Sequence, residues 1–223
     1  YKVLHAVKLA AYLKKEYPQH NFVPVYYMGS EDADLDELGK VFLNGEKLVW
    51  LTKQQGAVGR MKTEGLEPLI NRIEGELAVQ PFGKELISLL KKAYAPKTTI
   101  QSATFTLLHE LFASFGLVVL IADHPALKQE MAKVFADDLF AHTPAKIVTE
   151  TNNRLSANYK VQANPRDINL FYLKDDIRNR IEKTGDLFQV VDTNISFTQE
   201  ALKAELEQFP ERFSPNVILR GLY

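Results

Sequence analysis

Cysteine is absent from all 223 residues. That excludes a disulfide framework, thiolate metal sites and a cysteine nucleophile within the chain. An excess of positive charge is missing too: Lys and Arg total 27, Asp and Glu total 28, and the formal net charge is -1. So balanced a chain has no basic field to draw in a phosphate backbone, and nucleic acid is not an expected partner. Long apolar runs are also lacking. The longest, Phe115 to Ala122, falls well short of the roughly 20 residues that cross a bilayer, so no membrane partner is expected. Five histidines stand apart without paired ligand spacing, and no metal is expected. No signal-peptide pattern opens the chain, and a cytoplasmic location is the expectation.

What is present is the composition of a folded protein. Hydrophobic residues make up 46% and charged ones 25%, enough for one large or two small domains with a substantial core. Val3, Val7, Ala10, Ala11 and Leu13 fall at helical spacing, and Tyr17-Pro18 ends that helix. Phe22 to Tyr27 reads as a buried strand, followed by a short helix around Leu35 and Leu38 with an acidic first turn. Asn44-Gly45 joins Val41–Leu43 to Lys47–Leu51 as a hairpin, because the pair supplies the positive φ angles of a two-residue turn. Helical patterns follow at 66–73, 82–93 and 105–115, the last stopped by Gly116. Leu117 to Ile121 is uniformly apolar, the signature of a strand buried on both faces. Further helices start at Asp123-His124-Pro125, with Asp123 as the expected cap, and at Thr143-Pro144.

The pattern then changes. Short strand candidates at 159–162, 169–173, 178–181 and 188–191 are split by turn residues. Ser196 with Gln199 makes a capping box for a helix over 198–209. Alternating helices and buried strands interrupted by a β-rich segment argue for an α/β fold, an open and mostly parallel sheet with an inserted subdomain. The chain opens with Tyr1 already in a helical pattern and stops in an apolar stretch, Val217 to Leu222. Both ends are expected to lie inside a longer protein.

Several places could carry chemistry. Glu31, Asp32 and Asp34 follow a strand, and ligands of open α/β sheets bind beyond the carboxyl ends of strands. Such carboxylates suit a sugar hydroxyl, an ammonium or a divalent ion, although an acidic first turn is also what the helix dipole favours. Ser214, Asn216 and Arg220 form a polar set among apolar residues. If helical, Asn216 and Arg220 share a face, and Arg can hold a carboxylate or phosphate bidentately; a capped helix start with an ion pair is the plainer alternative. Asn164, Arg166 and Asn169 beside Phe171-Tyr172 could form a binding rim or ordinary turn chemistry. The turn Gly56 to Arg60 could cradle an anion on its amides, or simply precede a helix.

Five strings occur in an order that covers nearly the whole chain: FVPVYYMGSEDAD at 22–34, AVGRM at 57–61, FGLVVL at 115–120 followed by Asp123, NPRDINLFY at 164–172, and FSPNVILR at 213–220. This ordered series resembles the bacillithiol-synthesis cysteine-adding enzyme family. The resemblance implies a Rossmann-like nucleotide-binding core related to class I aminoacyl-tRNA synthetases, with a connecting-peptide insertion. The boundaries expected are residues 1–140 for the partial core, 141–197 for the β-rich insert, and 198–223 for a segment returning to the core.

It also implies a ligase that joins the carboxyl of cysteine to the amine of glucosaminyl-malate. An amide bond needs an activated carboxyl, which makes ATP the expected cofactor. Glu31, Asp32, Asp34, Ser214, Asn216 and Arg220 are the expected substrate-binding residues, with catalysis by positioning and charge stabilisation rather than a protein nucleophile. The full-length protein is expected to dimerise through a coiled coil beyond Tyr223, and the segment alone is expected to be inactive. One departure stands out: the family's acidic motif carries a histidine where this chain has Ala33. That favours the rival reading, a binding or scaffold module that has lost catalysis.

Overall fold

The structure is a computed structural model that describes residues 1–220. Its contacts divide the chain into two units, Tyr1–Ile121 and Ala122–Tyr223. The division falls after the last apolar strand of the first half, earlier than the boundary expected at residue 140.

In the first unit, α1 (Lys2–Glu16) ends before Pro18, with Lys14 and Lys15 in its last turn, where the helix dipole favours cations. Strands β1 (Val25–Met28) and β4 (Val118–Ile121) pair in parallel, Val25 opposite Val118 and Met28 opposite Ile121. Pro24 has no N–H to give a ladder, so β1 begins one residue later, while the Pro24 carbonyl still accepts from Val118 N at 3.0 Å. The expectations that the first strand is buried, and that the strand at Leu117 to Ile121 is buried on both faces, are not met. Val25 and Val118 are 50% and 48% exposed. They share one side of the pleat with Tyr27, and that side is bare. An apolar run identifies a strand, but not whether both of its sides are covered.

Between the two strands lie α2 (Leu35–Leu38), the hairpin of β2 (Lys40–Leu43) and β3 (Glu46–Val49), and α3 (Glu67–Leu77), α4 (Gly83–Ala93) and α5 (Ile100–Phe112). Asn44 and Gly45 take φ of 49° and 84° at the hairpin turn, as their chemistry predicts. The hairpin is fastened to α3 by Arg72, which bonds Glu46 at 2.8 Å and Glu76 at 2.7 Å. Trp50, Val58 and Met61 form the buried cluster of this unit, with Leu66, Leu69 and Ile100 against it.

The second unit is built on an antiparallel sheet ordered β8-β7-β6-β5-β9. Its strands are β5 (Leu170–Lys174), β6 (Ile177–Thr184), β7 (Leu187–Val190), β8 (Ser196–Phe197) and β9 (Phe213–Pro215). Helix α6 (Pro125–Ala136) runs into a π-helical turn, Asp137–Ala141, then α7 (Thr143–Leu155). Helix α8 (Gln199–Gln208) packs on β7 and β8, and α6 packs on α8 and β9. Phe135, Leu139, Tyr172, Phe188, Leu202 and Phe213 are among the side chains of its closed core.

Three local expectations change here. His124, not Asp123, caps α6, its Nδ1 accepting from Ala126 N at 3.2 Å. Thr198, not Ser196, caps α8, because Ser196 is drawn into β8 opposite Gln189. Residues 159–162 form no strand. The β-rich segment and the stretch after residue 198 also fold together, since β9 pairs with β5.

Candidate functional site

The chain leaves β1 through Gly29 and turns sharply, Ser30 N donating to Met28 O at 2.8 Å. Ser30 and Glu31 are 5% and 4% exposed, buried at the carboxyl end of the strand. Asp32 is half-buried and Asp34 exposed. Asp32 Oδ1 accepts from Asp34 N at 3.2 Å, and Asp34 Oδ1 accepts from Glu37 N at 3.0 Å. Asp34 therefore caps α2, so the plainer reading of an acidic first turn describes that residue.

A second segment meets this turn, a contact that sequence reasoning missed. Gly59 N donates to Ser30 O at 2.9 Å, and Val58 N donates to Asp32 O at 2.7 Å. A Cβ on Gly59 would lie 2.3 Å from Ser30 O and 2.6 Å from Ser30 Cβ. Only glycine permits that approach. Two of the strings that carry the family resemblance thus form one double turn. The same bonds overturn the anion-cradle reading of residues 56–60. The amides of Val58 and Gly59 face Asp32 and Ser30, and Arg60 N donates to Ala57 O at 2.9 Å. The amides of Val58, Gly59 and Arg60 are therefore turned to protein carbonyls rather than to a phosphate. At the centre of the double turn, the Ser30 hydroxyl is buried and has no hydrogen-bond partner among the described residues.

The second unit holds the other expected residues. Ser214, read as a ligand contact, is wholly buried in β9; the Arg178 Nη2 lies a long 3.5 Å from its Oγ. A side chain with no exposed surface supports a site rather than lining one. Asn216 is half-buried, and both ends of its amide are engaged: Nδ2 donates to Asn169 Oδ1 at 3.1 Å and Oδ1 accepts from Ile218 N at 2.8 Å. Residues 217–219 form a turn rather than the helix considered from sequence. Arg220 is exposed at its end.

Asn169, read from sequence as either a binding rim or turn chemistry, lies in the interior with Asp138. Asp138 is fully buried and accepts from Asn169 N at 2.6 Å and Asn169 Nδ2 at 3.0 Å. Burial pushes its carboxyl above the usual aspartate range, and the bonds from Asn169 oppose that rise. A second interior group joins Tyr172, Glu205 and Arg212. Tyr172 Oη donates to Glu205 Oε1 at 2.6 Å, and Arg212 Nη1 donates to the same oxygen at 2.6 Å. Burial first, and the Glu205 bond second, push the Tyr172 phenol well up. Lys128 is buried as well, donating to the Phe213 carbonyl and lying 3.8 Å from Asp123. Nothing in the sequence marks Lys128, which sits in an ordinary helical pattern.

Glu31, Asp32 and Asp34 thus gather at one strand end of the first unit. Ser214, Asn216 and Arg220 share one segment of the second. Among the described residues no group of three or more His, Asp or Glu side chains is arranged to hold a metal ion. No helix among them is long and apolar enough to cross a membrane.

Comparison with known proteins bears on these residues as a set. The family model described as "Bacillithiol biosynthesis BshC, N-terminal Rossmann-like domain" matches residues 1–223. The chain is 42% identical over 223 residues to the "Putative cysteine ligase BshC" of Cytophaga hutchinsonii, covering 100% of this chain and 41% of that protein. It is 40% identical over 223 residues to the protein of the same name in Flavobacterium johnsoniae, covering 100% and 42%. With the Salinibacter ruber protein of that name it shares 32% over 213 residues, covering 90% and 39%. The chain spans about two fifths of the length of the curated relatives it matches.

Proposed function

The chain belongs to the BshC family, matching its N-terminal Rossmann-like domain throughout, and on that premise we propose that it is the substrate-positioning part of a ligase that adds cysteine to glucosaminyl-malate. In that reaction the substrate amine attacks the activated carboxyl of cysteine. A C–N bond forms, the activating group leaves with the C–O electron pair, and the amine nitrogen loses a proton. ATP is the proposed source of activation, and no step is assigned to it on these residues. The full-length protein is proposed to act in the cytoplasm as a dimer joined by a coiled coil outside this chain. The first unit would be a core related to the class I aminoacyl-tRNA synthetases, and the second a connecting-peptide-like addition to it.

One observation carries this reading: the carboxylates of Glu31 and Asp32 stand at the carboxyl end of a parallel strand, where such sheets bind ligands. A turn that only Gly59 can make holds them there. We assign the half-buried Asp32 the ammonium of cysteine or sugar hydroxyls, with the buried Glu31 behind it and Asp34 fixing the turn from its capping position. Arg220 is assigned an anionic substrate group, the malate carboxylate, because its exposed guanidinium can bind one bidentately. Ser214 and Asn216 would support that segment from below. Catalysis would come from orienting reactants and stabilising charge.

The test is Asp32→Asn in the full-length enzyme. Product formation should fall by about tenfold or more, as expected when a charge-assisted bond is lost, with the thermal midpoint unchanged. Unaltered turnover would remove Asp32 from the site. A second reading, a scaffold without catalysis, draws on Ala33 in the acidic motif. Titration calorimetry with cysteine, glucosaminyl-malate and ATP separates the two, since a scaffold of that kind binds none of them.

A further inference from the structure

The polar residues of NPRDIN and SPN, far apart in the chain, meet on Asn169, which is held in turn by a residue that neither motif contains. Asp138 lies in the π-helical turn after α6, and such turns recur at functional positions. Its two carboxylate oxygens take the Asn169 backbone N–H and side-chain Nδ2. Asn169 Oδ1 accepts from Asn216 Nδ2 and from Arg166 N, each at 3.1 Å, while its Nδ2 also donates to Arg166 O at 2.8 Å. Asn216 N donates to Asn169 O at 2.9 Å. From Asn216 the bonds run onward: its Oδ1 accepts from Ile218 N, and its carbonyl accepts from Leu219 N at 3.2 Å and Arg220 N at 3.1 Å. An unbroken series therefore leads from a fully buried carboxylate to the backbone of Arg220.

Packing alone does not call for this. Burying a carboxylate is unfavourable, and a well-packed apolar group in its place is often neutral or stabilising. What Asp138 provides is direction. It accepts two hydrogens from one asparagine and so fixes that amide's orientation. The asparagine must present donors to Asp138 and an acceptor to Asn216, which aspartate or leucine at 169 cannot do. The charged and titratable groups beside Asp138 are Asp137 and His142. Asp137 accepts from Thr143 Oγ1 at 2.9 Å, and His142 Nδ1 lies 2.8 Å from Asp167 O. Both of these bonds brace the same junction.

We propose that Asp138 is a positioning residue that acts through Asn169 and Asn216 to set the 216–220 turn, and with it the guanidinium of Arg220, for an anionic substrate group. This rests on the reading of Arg220 given above. The experiment is a double-mutant cycle in the full-length ligase, measuring kcat and KM for the malate-bearing substrate. Arg220→Ala should raise KM by about tenfold or more, the scale of a lost charged hydrogen bond. Asn216→Ala and Asp138→Asn should each raise KM several-fold and leave kcat within about twofold, as for lost ground-state binding. In the Arg220→Ala background neither should raise KM further, because residues acting through one another are not additive.

Additive effects, or equal losses in kcat/KM and kcat, would overturn the positioning role while leaving Arg220 as the anion contact. A KM unmoved by Arg220→Ala would sink the anion contact and the proposal together. Should Asp138→Asn fail to fold, the Asn216→Ala half of the cycle decides alone.

Discussion

The two units solve the same problem, covering a sheet, to different degrees. The antiparallel sheet of the second unit closes a core in which Phe135, Phe188 and Phe213 are essentially inaccessible. The parallel pair β1–β4 of the first unit leaves Val25, Tyr27 and Val118 on an open side. Parallel strands occur almost only where both faces are covered, whereas antiparallel sheets tolerate one open face. Stability within this chain should therefore concentrate in the second unit, while the carboxylates at the end of β1 sit on the less enclosed of the two frames.

The largest expected effect tests that contrast directly. Phe213→Ala, which also removes the edge contact with Tyr172, should destabilise the second unit by about 3–5 kcal/mol. Val118→Ala on the open side should cost less than about 1 kcal/mol. Urea unfolding of the two variants measures both; similar losses would break the comparison. Next, Gly59→Ala should cost about 1–3 kcal/mol, since the added methyl must push the Ser30 carbonyl aside. Faster hydrogen exchange at the Gly59 and Val58 amides would show that the double turn had opened.

A smaller effect concerns pH. Burial raises the Asp138 pKa in the folded state, so the folded protein holds that proton more tightly than the unfolded chain. The resulting stability is fully present below the ordinary aspartate range and is lost as pH rises through the raised value. Asp138→Asn should flatten that part of the stability profile in acid, and an identical slope in both proteins would deny it. The smallest change is expected at the surface pair Lys92–Glu110, 2.8 Å apart with both side chains largely exposed. Glu110 is held below its usual range by the hydrogen bond from Lys92, yet solvent screens such pairs. Lys92→Ala should leave the unfolding midpoint unmoved at moderate salt.

Local chemistry was what the sequence made legible. Asn44-Gly45 announces its hairpin because the conformational demand falls on those two residues. The place of Glu31 and Asp32 after a strand could be read for the same reason. The chain order of apolar runs also gave the α/β class. What could not be read depends on distant partners. Lys128 is buried because the Phe213 carbonyl, 85 positions away, receives it. Asp138 matters through Asn169, 31 positions on, and Asn216 through the same residue, 47 positions back. The cap of α8 moved from Ser196 to Thr198 because a strand partner, Gln189, claimed the serine. Gly59 looked like a turn glycine, and its closeness to Ser30 is a fact of three dimensions.

Trp50 is the chain's one tryptophan, and it belongs to the buried cluster of the first unit, where its Nε1 donates to Glu64 O at 2.9 Å. Its emission is therefore a private signal. Selective excitation of indole follows the opening of the hairpin-and-helix half. Backbone circular dichroism sees both halves, so the gap between the two curves measures how far the halves melt apart.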